Sequence, residues 1–190
     1  LKIVYSRQHF MPKSKLTIFS ILILSLLEYS CKEIDRLLTF EITDSQNITF
    51  STGFPLNNDV VSLPMDVTTN SEEEFRNNDT RAEFVKDVTL KKLTLTITNP
   101  PAENFSFLKN VYIYISMPDG SDEIQLAFRE NIPDDVGNTL ELYSKNEKLD
   151  KYIKASSFKI RTKTTFDKSY TKEMTIRADM KFKVVADPLQ

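Results

Sequence analysis

Tryptophan is missing from these 190 residues, and cysteine and histidine occur once each. His9 lies ahead of a run that reads as a removable leader, so the chain that follows has no imidazole. That excludes catalysis by Ser-His-Asp or Cys-His groups, and with it the usual zinc sites. A lone cysteine makes no disulfide within the chain, so the fold holds without one. Internal repeats, low-complexity segments and interdomain linkers are also missing after the leader. What stays open is carboxylate chemistry, oxygen-ligated calcium, or a surface that recognises a partner.

What is present begins with Leu16–Cys31, LTIFSILILSLLEYSC. Read from Met11, Lys13 and Lys15 supply positive charge, Leu16–Leu27 are almost purely apolar, and small Ser30 ends the segment. That is the order of a secretory signal. The apolar run falls short of the about 20 residues that a membrane-spanning helix needs. Residues 1–10, LKIVYSRQHF, open on Leu1 rather than methionine and are expected to be an upstream extension. The expected organisation is a signal over 11–30, a tether over 31–36 and a single domain over 37–190.

LLEYSC resembles the lipobox of bacterial lipoproteins, where the cysteine directly after the signal becomes the lipidated first residue. Sulfur is the best nucleophile among the side chains and forms a stable thioether to a diacylglycerol. Ser30 suits a peptidase that needs a small residue there, while Glu28 and Tyr29 stand where the motif has an aliphatic and a small residue. The resemblance implies lipid attachment at Cys31. Lys32-Glu33-Ile34-Asp35 is similar to the surface-export signal of Bacteroidota lipoproteins, which implies an outer-membrane anchor with the domain exposed at the cell surface.

Removing residues 1–30 takes away Lys2, Arg7, Lys13, Lys15 and Glu28 and leaves 21 basic against 26 acidic residues, a net charge of −5. Nucleic acid is not an expected partner, because it wants a clustered basic face. With 40% hydrophobic and 11% aromatic residues in the full chain, a real core is available.

Alternation of period two dominates the rest, as expected for strands with one buried face. Leu38, Phe40 and Ile42 begin it, Asp44–Asn47 read as a turn, and Ile48 and Phe50 resume it. Val61, Leu63, Met65 and Val67 predict one strand, at a sheet edge because of Pro64. Ser71–Glu74 and Thr80–Glu83 have the form of capping boxes, and a helical segment is predicted around 80–87. Glu72–Glu74 fit a solvated helix start better than a calcium site. Leu90, Leu93, Leu95 and Ile97 form a strong strand ended by Asn99-Pro100-Pro101, and Phe105–Leu108 an apolar plug. Val111, Ile113 and Ile115 alternate with Tyr112 and Tyr114, and Ile124, Leu126 and Phe128 return after the turn around Gly120, a hairpin. Leu140 and Leu142 start another strand, a short helix is predicted near 147–153, and Phe158 to Thr164 follow. Met174, Ile176, Ala178, Met180, Phe182 and Val184 make the longest alternation, a strand expected to cross a sandwich or bend between its sheets. The expected fold is mainly β, an immunoglobulin-like β-sandwich with one or two short helices, or else a jelly roll.

KDVTLKKLTLTITNP (86–100), FSFLKNVYIYIS (105–116), the loop Ile132–Leu142 and KFKVVADPL (181–189) together also resemble uncharacterised Bacteroidota lipoproteins over nearly the whole mature chain. That likeness implies location and fold and carries no activity. The expectation is therefore a cell-envelope lipoprotein that is not an enzyme, needs no cofactor, and binds an envelope protein or glycan or has a structural role. Tyr112 and Tyr114 are the candidate ligand surface, as a sugar-stacking platform or as residues packed under the short helices. Two alternatives are a carboxylate-based glycoside hydrolase using Asp119, Asp122, Asp134 or Asp135, and a calcium-dependent binding module at Asp119–Glu123.

Overall fold

A computed structural model of the chain describes residues 39–50 and 55–187. The signal, Cys31, the tether, Leu38 and Gly53 lie outside the described residues. Thr39–Gln190 form one compact unit, and its core draws on side chains from Ile42 to Val184.

The described residues form nine strands: β1 (Thr39–Phe50), β2 (Asp59–Val61), β3 (Met65–Thr68), β4 (Val85–Asn99), β5 (Leu108–Ser116), β6 (Ile124–Arg129), β7 (Thr139–Ser144), β8 (Ser157–Phe166) and β9 (Met174–Ala186). They also form two helices, α1 (Ser71–Asn77) and α2 (Asp150–Lys154), and a 3₁₀ turn at Ala82–Phe84. The hydrogen-bonded order is β1-β9-β4-β7-β6-β5-β8-β2, with β3 also on β8. Every strand pair is antiparallel.

The pairing is nested. If β2 and β3 are taken as one interrupted strand, the first strand pairs with the last, the second with β8, β4 with β7, and β5 with β6. Rolling this double ribbon brings β9 against β4 and β8 against β5. The curled sheet thus folds onto itself as two facing halves, β1-β9-β4-β7 and β6-β5-β8-β2/β3. Leu93, Ala178 and Met180 from one half and Met65, Ile113 and Ile160 from the other line the same small void. The mainly β sandwich expected from the alternation is what forms, and its nesting is that of a jelly roll. The immunoglobulin order, with strands one, two, five and four sharing a sheet, is not the order seen.

β9 carries the packing. Met174, Ile176, Ala178, Met180, Phe182, Val184 and Ala186 are all buried, and the residues between them face outward. It does not bend between sheets: it lies between β1 and β4 along its length. The strand shared by the two halves is β7, which pairs with β4 through Thr139–Leu142 and with β6 through Tyr143 and Ser144. In β4 the buried residues Val85, Val88, Leu90 and Leu93 are not evenly spaced. Bulges at Lys86 and Lys91 absorb the extra residues and keep each apolar side chain inward.

Several local expectations change once neighbours are in place. Asp44–Asn47 do not turn: β1 runs unbroken because every residue of it pairs with β9. Asp44 and Gln46 occupy its inward positions and bond to each other (Nε2 to Oδ1, 2.9 Å), and an inward charge on an edge strand discourages further pairing. Val61–Val67 form two short strands rather than one, broken at 62–64, with Leu63 89% exposed. The helix lies at 71–77 rather than 80–87, and β4 starts at Val85 because β9 offers it a partner. Neither capping box forms a side-chain cap: Asn70 and Arg81 stand at the cap positions. The second helix starts at Asp150, after Leu149, whose N–H donates to the Val88 carbonyl (2.8 Å); it buries Tyr152 and Ile153 as expected. The plug at 105–108 is buried, with Phe107 stacked near Phe166 and Tyr170.

Phe182, 1% exposed on β9, faces the core, whereas its neighbour Lys183 faces solvent. Phe182→Ala is expected to lower unfolding free energy by about 3–5 kcal/mol and Lys183→Ala by no more than about 0.5 kcal/mol, measured by urea denaturation.

Candidate functional site

The alternation of β5 turns Val111, Ile113 and Ile115 into the core and leaves Tyr112 and Tyr114 half-buried on the outer face of the sandwich. Neither tyrosine lies under a helix: the helix α2 packs on β4 and β8 and sends the Tyr152 hydroxyl to the Asp122 carbonyl (2.6 Å). Around the two rings the outward residues of β8, Lys159, Arg161 and Lys163, lie opposite Ser116, Tyr114 and Tyr112.

Tyr114 is a capped ring. The Arg161 guanidinium sits 4.4 Å from its centroid, and Glu123 grips that guanidinium through both oxygens, with Nε to Oε2 at 2.7 Å. The paired guanidinium holds the Glu123 carboxyl below its usual range. Tyr112 donates its hydroxyl to Glu130 (2.8 Å). That bond, with burial and the nearby negative charge behind it, pushes the phenol up to about 12. Lys163 lies 5.6 Å from the Tyr112 centroid and is held by Asp59 (2.7 Å).

Two further aromatic residues join this face, and the sequence pattern had placed one of them inside. Ile124, Leu126 and Phe128 alternate as if all three faced the core. In the folded chain Ile113 pairs with Ala127 and Tyr114 with Gln125, so Leu126 is an extra residue in a bulge. Leu126 and Ala127 are both buried, and Phe128 swings outward. It then stands opposite Tyr112 on one side and Tyr143 of β7 on the other. The result is an in-register row, Tyr112–Phe128–Tyr143, about 10 Å across three strands. Phe128 and Tyr143 meet edge to face at 5.9 Å, and Tyr143 is 56% exposed. Arg129 lies 4.5 Å from the Tyr143 ring and Lys145 4.8 Å from the Phe128 ring. Neither cation has a carboxylate partner among the described residues, unlike Lys159, Arg161 and Lys163. No period-two reading could have found Phe128, because a bulge is a property of the pair of strands.

The carboxylates considered for hydrolysis or calcium are apart. Asp119 and Asp122 sit at the start of β6, and Asp134 and Asp135 follow its end, so the strand separates the two pairs by roughly 20 Å. Asp119 accepts from the backbone and hydroxyl of Ser121 (2.9 and 2.6 Å), and these bonds lower its pKa. Gly120 of the same turn has φ +86°, which the turn requires. Asp122 pairs with Lys151 (2.7 Å) and Asp134 with Lys168. Among the described residues no three histidine, cysteine, aspartate or glutamate side chains are grouped to hold a metal, and no helix is long and apolar enough to cross a membrane.

No family model matches the chain, and none of the curated proteins compared with it matches. Among solved structures it is similar to a chain of Desmodium yellow mottle tymovirus at 12% identity, covering 80% of this chain and 90% of that one, with a TM-score of 0.25. A chain of turnip yellow mosaic virus is similar at 11% identity, covering 79% and 96%, with a TM-score of 0.26. Likeness this loose transfers neither fold nor function.

Glu130→Gln is expected to bring the Tyr112 phenol down from about 12 toward the ordinary 10.0, followed by ring-carbon NMR of tyrosine against pH. In the parent protein the folded state keeps this proton where the unfolded chain has lost it. The contribution to stability is therefore complete below pH 10 and falls as pH rises toward 12; the variant flattens that slope.

Proposed function

We propose that this chain is a lipoprotein of the cell envelope, anchored through Cys31 to the outer membrane and exposed at the cell surface, and that it works by binding rather than catalysis. The signal-like run, the cysteine that ends it and the acidic residues after it support the anchor and the location. The row Tyr112–Phe128–Tyr143, with Arg129 and Lys145 beside it, carries the binding role.

The partner that this row fits is a glycan with acidic units. Aromatic faces take the C–H face of a pyranose, and their amphipathic edges tolerate the wet rim. A sheet holds the rings at fixed spacing, so little side-chain order is lost on binding. Arg129 and Lys145 offer two cations that no carboxylate among the described residues neutralises, placed to meet a uronate or sulfate carried by a stacked sugar. Tyr114, capped by Arg161, contributes the rigid flank of the surface rather than an open ring.

Three measurements test this reading. Metabolic labelling with a radioactive fatty acid is expected to mark the protein and to be lost in Cys31→Ser. Protease shaving of intact cells is expected to release peptides of 39–187; release only after lysis would turn the domain toward the periplasm. Retention on immobilised acidic polysaccharide is expected to exceed that on a neutral one. It should drop at least tenfold in Tyr143→Ala, as for loss of a central aromatic anchor. Equal retention on both polymers would remove the glycan assignment.

A further inference from the structure

One end of the sandwich gathers the start of β1, the end of β9, the 3₁₀ turn and the helix α1. Thr39 pairs with Val185, the Asp187 N–H donates to the Phe84 carbonyl (2.8 Å), and the Phe40 and Phe75 rings meet edge to face at 6.2 Å. A cleft of about 700 Å³ opens at this end between α1, the 3₁₀ turn and the segment after α2, a volume in the range of small-ligand sites.

Its chemistry is uneven. Buried Phe75 lies at its wall, and Arg76, Arg81 and Lys154 bring three cations from three separate elements. Arg81 is engaged by Glu83 (3.7 Å) and lies over the Phe84 ring (4.9 Å). Arg76 and Lys154 have no carboxylate partner among the described residues. Glu72 and Glu83 also line the cleft; with Glu83 engaged by Arg81, the two unpaired cations face one unpaired carboxylate, Glu72. Thr80 adds a separate observation. Its hydroxyl, which the sequence pattern assigns to a helix cap, is buried at the cleft with no hydrogen-bond partner, although its N–H is satisfied by the Phe75 carbonyl (2.9 Å). Thr69, beside it, already donates to the Ala155 carbonyl (2.9 Å).

We propose that this cleft binds the phosphodiester headgroup of a membrane phospholipid. A guanidinium, an ammonium and a hydroxyl donor suit a singly charged phosphate. The apolar wall of Phe75, Ala82 and Ala155 suits the glycerol and first methylenes beside it. The two carboxylates of the lining, Glu72 and Glu83, disfavour a polyanion. Location makes the lipid, rather than a soluble phosphate ester, the occupant. The chain from Cys31 to Thr39 reaches at most roughly 29 Å when fully extended, and Thr39 belongs to the same end of the sandwich as the cleft. This step rests on anchoring through Cys31. A bound headgroup would hold the sandwich with this end toward the bilayer and leave the aromatic row free for its own partner.

The test uses unacylated protein of residues 31–190, which contains the whole compact unit and its core, so that it reports on the cleft without the lipid anchor. Sedimentation with vesicles of phosphatidylcholine containing phosphatidylglycerol is expected to carry the protein down, and pure phosphatidylcholine vesicles to carry much less. Arg76→Gln combined with Lys154→Gln should weaken partitioning about thirtyfold, as expected for two cations near an anionic surface. Arg129→Gln combined with Lys145→Gln, on the aromatic row, should leave most of it. Thr80→Val keeps the shape, removes the unpartnered hydroxyl, and should weaken partitioning severalfold without lowering the melting temperature. Equal losses in the two double variants would reduce the effect to nonspecific charge and overturn the site. Glycerol 3-phosphate shifting the Thr80 and Arg76 amide resonances while vesicles bind nothing would overturn the lipid in favour of a soluble ester. No fatty-acid labelling of the parent protein, with vesicle binding intact, would instead remove the anchor and leave the cleft standing.

Discussion

The fold depends on β9 finding its place between β1 and β4. Its seven inward side chains form one wall of the core, and its two edges satisfy the backbone of strands from the opposite end of the chain and from its middle. Among the described strands β1 has no other neighbour, since it stands at the end of the sheet order. The Phe84–Asp187 bond likewise needs the chain just after β9 before the end cleft can take shape. A topology whose first and last strands pair is rich in non-local contacts, which sets an entropic cost that must be met before the burial repays it.

Bulges are how this chain reconciles its residue spacing with that topology. In β4 two of the three extra residues, Lys86 and Lys91, are lysines, turned out where a long charged side chain is comfortable, and the third is Thr98. In β6 the extra residue is Leu126, which stays buried and reverses the faces of everything after it. The same local device therefore protects the core in one strand and builds a surface in another. Without it, Phe128 would compete for space with the core and the outer face would lose the middle of its aromatic row.

The surfaces divide the molecule by chemistry. The outer face of β1, β9 and β4 is mostly threonine, lysine and acidic residues, with Lys91 and Lys181 both paired to Glu41 and Arg177 to Asp179. Exposed pairs of this kind contribute little stability, and they leave few charges without a partner there. On the β5–β8 face, rings are interleaved with cations, and at the helical end cations meet an unsatisfied hydroxyl. Where carboxylates match the cations the surface is neutralised. Where none among the described residues does, at Arg129, Lys145, Arg76 and Lys154, charge remains available to an outside partner.

Much of this was legible in the order of residues. Period-two burial identified β4, β5, β8 and β9 and the hairpin at Gly120, because alternation is a local property of a strand with one wet face. The faces of Tyr112 and Tyr114 followed from the same rule. Leu149, Tyr152 and Ile153 marked the second helix by their spacing. What lay beyond the sequence was everything that depends on a partner strand. Asp44–Asn47 carry turn residues yet extend, because β9 sets a partner residue opposite each of them. Thr80 looks like a helix cap and is instead a buried hydroxyl, because β4 begins where the helix would have continued. The nesting of first strand with last, the exchange of β7 between the halves, and the outward turn of Phe128 come from pairings between distant residues. Sequence by itself determined which residues alternate; only the tertiary structure decided which strands meet and in what register, since hydrogen bonds between strands are indifferent to side-chain identity and their choice is made by packing of the whole core.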